Sequence, residues 1–102
     1  MKTVLRNRMR PIHPGEILRE DVLKELGLSA NALAKSLGVP TNRITAIVNL
    51  QRGITADTAL RLSHYLGTTP EFWLNLQTSY DLKKAEADVG RDIAKTVKPR
   101  AA

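Results

Sequence analysis

The sequence predicts an all-α domain of five helices. Three observations carry that reading. Apolar residues recur at spacings of three and four along most of the chain, and no segment alternates with the two-residue period of a strand. Pro, Ser or Thr stands where each apolar block begins, and Gly follows most of them, which are the start and stop residues of helices. Of the 102 residues 42% are hydrophobic but only 4% aromatic, so the core must be built from Leu, Ile, Val and Ala.

The elements follow in order. His13-Pro14-Gly15-Glu16 opens the first: Pro loses no hydrogen bond in a first turn, and Glu16 suits the positive end of the helix dipole. Ile17, Leu18, Val22 and Leu26 repeat at helical spacing, and Gly27 ends the run in a left-handed cap. Ser29 caps a short second helix with Leu33, Ala34 and Leu37 on its apolar face, Leu28 packing back on Leu33. Gly38 closes it. A third helix starts at Pro40 and turns Ile44, Ile47 and Val48 inward. After a break at Gly53, Thr55 caps a fourth with Ala59, Leu60, Leu62 and Leu66, ended by Gly67. Thr69-Pro70-Glu71 opens a fifth, with Phe72, Trp73, Leu76 and Tyr80 as its apolar residues. From Lys83 onward the chain is charged and Ala-rich, and is read as a fraying helix that ends in disorder. The organisation is therefore a basic arm (1–12), one domain (13–82) and a charged tail (83–102).

The formal net charge is +6, and its distribution is uneven. The arm carries Lys2, Arg6, Arg8 and Arg10 without an acid, whereas the first helix holds Glu16, Glu20, Asp21 and Glu25. From Leu26 to Ala56 there is no carboxylate, only Lys35, Arg43 and Arg52. A surface that approaches phosphates must avoid like charge. No apolar run reaches the roughly 20 residues of a membrane span, and none follows Arg10 to make a secretory signal. With no Cys, disulfides, Cys-ligated zinc and thiol catalysis are excluded, and the expected setting is the cytoplasm. His13 and His64 lack companions for a metal or general-base site; His13 reads as a helix cap and His64 as a helix-face residue beside Tyr65. Glu20 and Asp21 point to different sides of a helix, and no glycine-rich phosphate loop exists. No enzyme activity, cofactor or metal is expected.

The pattern over 29–49 is helix (Ala30–Leu37), three-residue turn (Gly38-Val39-Pro40), helix (Thr41–Asn49). Gly38 lets the chain reverse sharply and Ala34 lets the second helix cross close, as a helix-turn-helix requires. Val39 and Ile44 would fill the angle, received by Leu33 and Leu37. With Ile44, Ile47 and Val48 inward, the opposite face presents Thr41, Asn42, Thr45, Ala46 and Asn49: short, neutral and able to hydrogen-bond. Asn pairs bidentately with adenine and a Thr methyl packs on a thymine methyl. We therefore assign base reading to Thr41, Asn42, Thr45 and Ala46, with Arg43 reaching either guanine or a phosphate. Ser29, Ala30 and Asn31 at a helix N-terminus, with Lys35, Asn49, Gln51 and Arg52, are the candidate phosphate contacts.

His13-Pro14-Gly15-Glu16-Ile17-Leu18, Leu28-Ser29 through Leu33-Ala34, Gly38-Val39-Pro40, Asn42-Arg43-Ile44, Arg52-Gly53-Ile54-Thr55-Ala56-Asp57-Thr58-Ala59-Leu60-Arg61-Leu62 and Thr69-Pro70-Glu71-Phe72-Trp73-Leu74-Asn75-Leu76-Gln77 together resemble a HigA-type antitoxin. This is a branch of the phage-repressor-like helix-turn-helix proteins, and the likeness covers residues 11–82. It implies a protein that neutralises a RelE- or HigB-like mRNA endonuclease toxin and, as a homodimer, binds its own operator DNA to repress the operon. The alternative is a stand-alone helix-turn-helix transcriptional regulator. The implied dimer would use the fifth helix from residue 70, through Phe72, Trp73, Leu76 and Tyr80, with Trp73 equally able to serve the core. For the toxin, the arm, the tail and the acidic first helix are the candidate surfaces.

Overall fold

The computed structural model describes residues 10–101, and every regular element among them is a helix. Lys2, Arg6 and Arg8 of the basic arm lie outside the described residues. The first helix, α1 (14–26), winds in three stretches: Pro14–Ile17 is α-helical, Leu18–Leu23 is π-helical and Lys24–Leu26 is α-helical again. Helices α2 (Ala30–Leu37), α3 (Thr41–Val48), α4 (Ala56–Leu66) and α5 (Pro70–Thr96) follow.

The expected caps form. His13 Nδ1 accepts from the Gly15 N–H at 2.8 Å, Ser29 Oγ from Ala32 at 3.0 Å, Thr55 Oγ1 from Thr58 at 3.4 Å and Thr69 Oγ1 from Phe72 at 3.1 Å. Each satisfies one of the donors that a helix start leaves without a partner. Gly27, Gly38 and Gly67 close their helices in the left-handed region, where a Cβ would collide with the following carbonyl.

One core joins all five helices. Leu18, Leu33, Ala34, Ile44, Ile47, Ala59 and Leu62 are fully buried, with Trp73 among them. Burying each large aliphatic side chain contributes about 1.5–3 kcal/mol. Trp73 keeps its indole N–H satisfied by donating to Thr68 Oγ1 at 2.9 Å. Two apolar residues that fit the helical spacing are nevertheless exposed: Leu26 (55%) and Leu60 (59%). In α1 the π stretch explains the exchange. Residues five apart stack in a π-helix, so Leu23 joins Leu18 and Val22 on the buried face. In α4 the inward positions are Thr58, Ala59, Leu62 and Ser63, and Leu60 falls on the far side.

The charged tail also differs from expectation, because α5 continues unbroken to Thr96. Ala, Lys and Glu are strong helix formers, and pairs such as Lys84–Asp88 (3.1 Å) add i,i+4 support without core contact. A 27-residue helix is roughly 40 Å long at 1.5 Å per residue, which gives the molecule its 52 × 29 × 22 Å extents.

The reading helix is seated by close approach. A Cβ at Gly15 would lie 1.9 Å from the Ile47 carbonyl oxygen, so the start of α1 packs on α3 backbone to backbone. Arg19 Nη1 reaches the Val48 carbonyl at 3.4 Å from the same helix. Gly15→Ala is therefore expected to lower stability by about 3 kcal/mol, since neither backbone can yield; urea denaturation measures it, and an unchanged midpoint would contradict the packing.

His13 adds an acid-sensitive element. Its ring is buried, edge-on to Tyr80 with centroids 4.8 Å apart, and Nδ1 must stay unprotonated to accept from Gly15. Burial pushes its pKa down, and the Asp81 and Glu16 carboxylates offset part of that. With the folded pKa below the unfolded value of about 6.5, the unfolded chain binds the proton first. Stability from this group is thus complete above about pH 6.5 and falls as the pH drops toward the folded pKa. The urea midpoint should decline between about pH 7 and 5 in the wild type. It should stay level over that range in His13→Asn, which keeps a capping acceptor that does not titrate.

Candidate nucleic-acid interface

The sequence places the candidate site on α2, the turn after it and α3. Gly38 (φ 70°) makes the turn, with Gly38 N–H donating to Lys35 O at 3.2 Å and Val39 N–H to Ala34 O at 3.0 Å. This bond pair is the Schellman closure. Val39 packs against the core and Ile44 is fully buried, so both fill the angle between the helices as the sequence predicts.

The starts of α2 and α3 are tied side chain to side chain: Thr41 Oγ1 donates to Asn31 Oδ1 at 2.7 Å. That bond sets the N-terminus of α2, where Ser29, Ala30 and Asn31 were assigned to phosphate, beside the first turn of the reading helix. Ser29 Oγ is occupied as the cap, and Ala30 is half-buried against the core. Asn31 keeps its Nδ2 donors, so contact with a phosphate here falls to that amide and to backbone N–H groups.

On α3, Asn42 is exposed and its amide has no partner among the described residues. Thr45 is half-buried and donates to Thr41 O at 3.0 Å, which leaves its methyl and oxygen lone pairs for a ligand. Ala46 is half-buried; Lys35, Asn49, Gln51 and Arg52 are exposed.

Arg43 has a role that sequence reasoning missed. It pairs with Asp57 in the first turn of α4, and Asp57 also accepts from Arg61 Nε at 2.9 Å. Arg61 Nη1 then donates to Leu37 O at 2.9 Å and to Gly38 O at 3.4 Å, fastening α4 to the turn. The two guanidinium groups, Arg61 first, hold the Asp57 carboxyl below its usual range. Asp57 is the first acid after the carboxylate-free segment, and two cations offset it. The i,i+4 spacing of Asp57 and Arg61 was visible in the sequence; the partnership with Arg43 across fourteen residues was not.

The loop from α3 to α4 is also fixed. Ile54 N–H donates to Gln77 Oε1 at 2.7 Å, and a Cβ at Gly53 would meet that side chain at 2.9 Å. Among the residues assigned to a dimer contact, Trp73 is 1% exposed and packs in its own core, the other role the sequence left open for it. Leu76 also packs on the core and Tyr80 is half-buried on His13; Phe72, 45% exposed, presents the largest free surface of the four. Among the described residues no group of three or more His, Asp and Glu stands close enough to hold a metal ion. No described helix is long and apolar enough to cross a membrane.

Known proteins share this fold and much of this sequence. The helix-turn-helix family model HTH_3 matches residues 20–73. Virulence-associated protein I of Dichelobacter nodosus is 64% identical over 83 residues, 81% of this chain and 77% of that protein. The solved structure of an addiction module antidote protein of the HigA family from Coxiella burnetii superposes with a TM-score of 0.85 at 60% identity, covering 89% of this chain and 99% of that one. Pseudomonas aeruginosa antitoxin HigA, solved with the higBA promoter, superposes with a TM-score of 0.87 at 47% identity, covering 90% and 100%. Family match, identity and superposition over nearly the whole described chain agree: this protein belongs to the HigA-type antitoxin branch of the helix-turn-helix family.

Proposed function

We propose that the chain is an antitoxin and autorepressor: a cytoplasmic homodimer that binds the operator of its own operon through α3 and neutralises a HigB-like toxin encoded beside it. The observation that carries the reading is the outer face of α3. It is exposed at Asn42 and Asn49, free of carboxylates from Leu26 to Ala56, and set beside the N-terminus of α2 by the Asn31–Thr41 bond. The likeness to the P. aeruginosa antitoxin solved with its promoter supports the DNA-binding reading. Thr41, Asn42, Thr45 and Ala46 read base edges, and Asn31, Lys35, Asn49, Gln51 and Arg52 hold phosphates together with the backbone at Ser29 and Ala30. Arg43, already paired with Asp57, meets the duplex with its guanidinium partly engaged and suits a phosphate better than a guanine. Dimerisation through α5 is supported by Phe72 and by Leu82, Val89 and Ile93, exposed at intervals of seven and four along a helix that outruns the core. The residues of the arm (1–12), the charged half of α5 and the acidic face of α1 are the surfaces proposed for the toxin.

Affinity for its own promoter should fall by about 0.9 log unit per log unit of salt for each phosphate neutralised. Asn42→Ala should cost operator binding about 1–3 kcal/mol while random-sequence DNA is affected much less. Lys35→Ala should weaken both alike. A flat salt response would remove the DNA-binding reading.

Co-expression with the products of the neighbouring genes is the test of the antitoxin half. A small basic partner should co-purify with the chain, and its toxicity to cells should be relieved. If no neighbour binds, the chain is a stand-alone regulator.

A further inference from the structure

We propose that Leu50 is a duplex-contacting residue: its side chain makes apolar contact with carbon surface of the DNA, a thymine methyl or a deoxyribose, at the end of the reading helix. The proposal rests on the operator-binding reading above and adds to it a DNA-contacting residue outside the polar face.

Three helices end with the same pair of bonds. After α1, Gly27 N–H donates to Lys24 O and Leu28 N–H to Leu23 O; after α2, Gly38 and Val39 repeat the pattern. After α3, Leu50 N–H donates to Ile47 O at 3.0 Å and Gln51 N–H to Ala46 O at 2.8 Å. The closure demands a left-handed residue, with φ of 64° at Gly27, 70° at Gly38 and 63° at Leu50. Two of these are glycine. Leu50 is the one non-glycine residue with positive φ among the described residues, and its Cβ makes that backbone unfavourable.

Among the described residues no core contact of the Leu50 side chain compensates. The usual apolar contact of this closure comes from the next residue, and Leu28 and Val39 do pack on the core from that position. After α3 that position holds the exposed Gln51, and the apolar residue has moved one place earlier. There Leu50 is 45% exposed and is not among the residues packed on the core. Asn49, Gln51 and Arg52 around it are exposed hydrogen-bond donors. Beyond them the loop is clamped by Gln77 on Ile54. An apolar side chain held rigidly among phosphate donors matches the wall of a duplex groove, where sugar carbons and thymine methyls lie between the phosphates. Residues kept in a disfavoured conformation cluster at ligand clamps and other functional sites, which favours a role for Leu50 in binding.

The test compares wild type, Leu50→Gly and Leu50→Ala on promoter DNA. Glycine relieves the backbone and removes the side chain; alanine keeps the strained backbone and removes everything past Cβ. Both should bind about five- to tenfold more weakly, from loss of a partly buried leucine contact. The slope of affinity against salt should not change, because no charge is lost. Leu50→Gly should also unfold at higher urea than wild type. Replacing operator thymines by uracil one at a time identifies the contact. A loss seen with wild type but not with Leu50→Gly marks a methyl; no loss at any thymine, with both variants still weak, marks deoxyribose. Wild-type affinity in both variants overturns the proposal, as does a loss that follows a change in oligomeric state, which would assign Leu50 to a second copy. A wild-type chain that does not bind its promoter overturns the operator reading and this proposal together.

Discussion

The fold depends on the absence of one carbon atom. Gly15 brings the first turn of α1 against the Ile47 carbonyl at a distance no Cβ could share. That contact fixes how deeply α3 sits in the molecule. Because α3 is only eight residues long, its position cannot come from its own stability; a helix that short is marginal in isolation. It is held from three sides: by α1 at Gly15 and Arg19, by α2 through the turn and the Asn31–Thr41 bond, and by the burial of Ile44, Ile47 and Val48. The residues proposed to read bases therefore stand on a rigid support, as recognition within a groove requires.

Electrostatics complete that support. A carboxylate close to a phosphate-binding face works against binding, yet Asp57 stands in the first turn of α4, where the helix dipole favours it. Arg43 and Arg61 resolve the conflict by pairing with it, and Arg61 directs its Nη1 to the carbonyls at the end of α2. These are exposed ion pairs, individually weak in water, so their value lies in orientation more than in stability. One network thus orders the turn, lowers the local negative charge and restrains Arg43.

The segment after α3 follows the same logic. A Schellman closure at one end and the Gln77 clamp at the other leave little freedom between Asn49 and Ile54. Gln77 lies on α5, the helix that also supplies Trp73 to the core and carries the surface proposed for a second copy. The geometry of one DNA-facing loop is thereby coupled to the helix on which a dimer would form.

Much of this was legible in the sequence because its signals are local. Caps at His13, Ser29, Thr55 and Thr69, and left-handed glycines at 27, 38 and 67, act within a few residues of themselves, so the number, order and starts of the helices could be read directly. So could the inward and outward faces of α3, whose eight residues carry one clear period. What failed depended on other parts of the chain or on winding. Leu26 and Leu60 fit helical spacing but face outward, the first after a π stretch that brings Leu23 inward, the second because burial in α4 centres on Ala59 and Leu62. The end of α5 carries no apolar period against the core, and its helicity comes from side-chain propensity and i,i+4 pairs. Trp73 could have served core or interface, and only the packing of five helices together assigned it to the core. The sequence by itself determined an all-α helix-turn-helix with a short, neutral reading face. The tertiary structure decided how that face is held, because Gly15 on Ile47, Arg43 on Asp57 and Gln77 on Ile54 join residues far apart in the chain, and no local pattern encodes which distant atoms will meet.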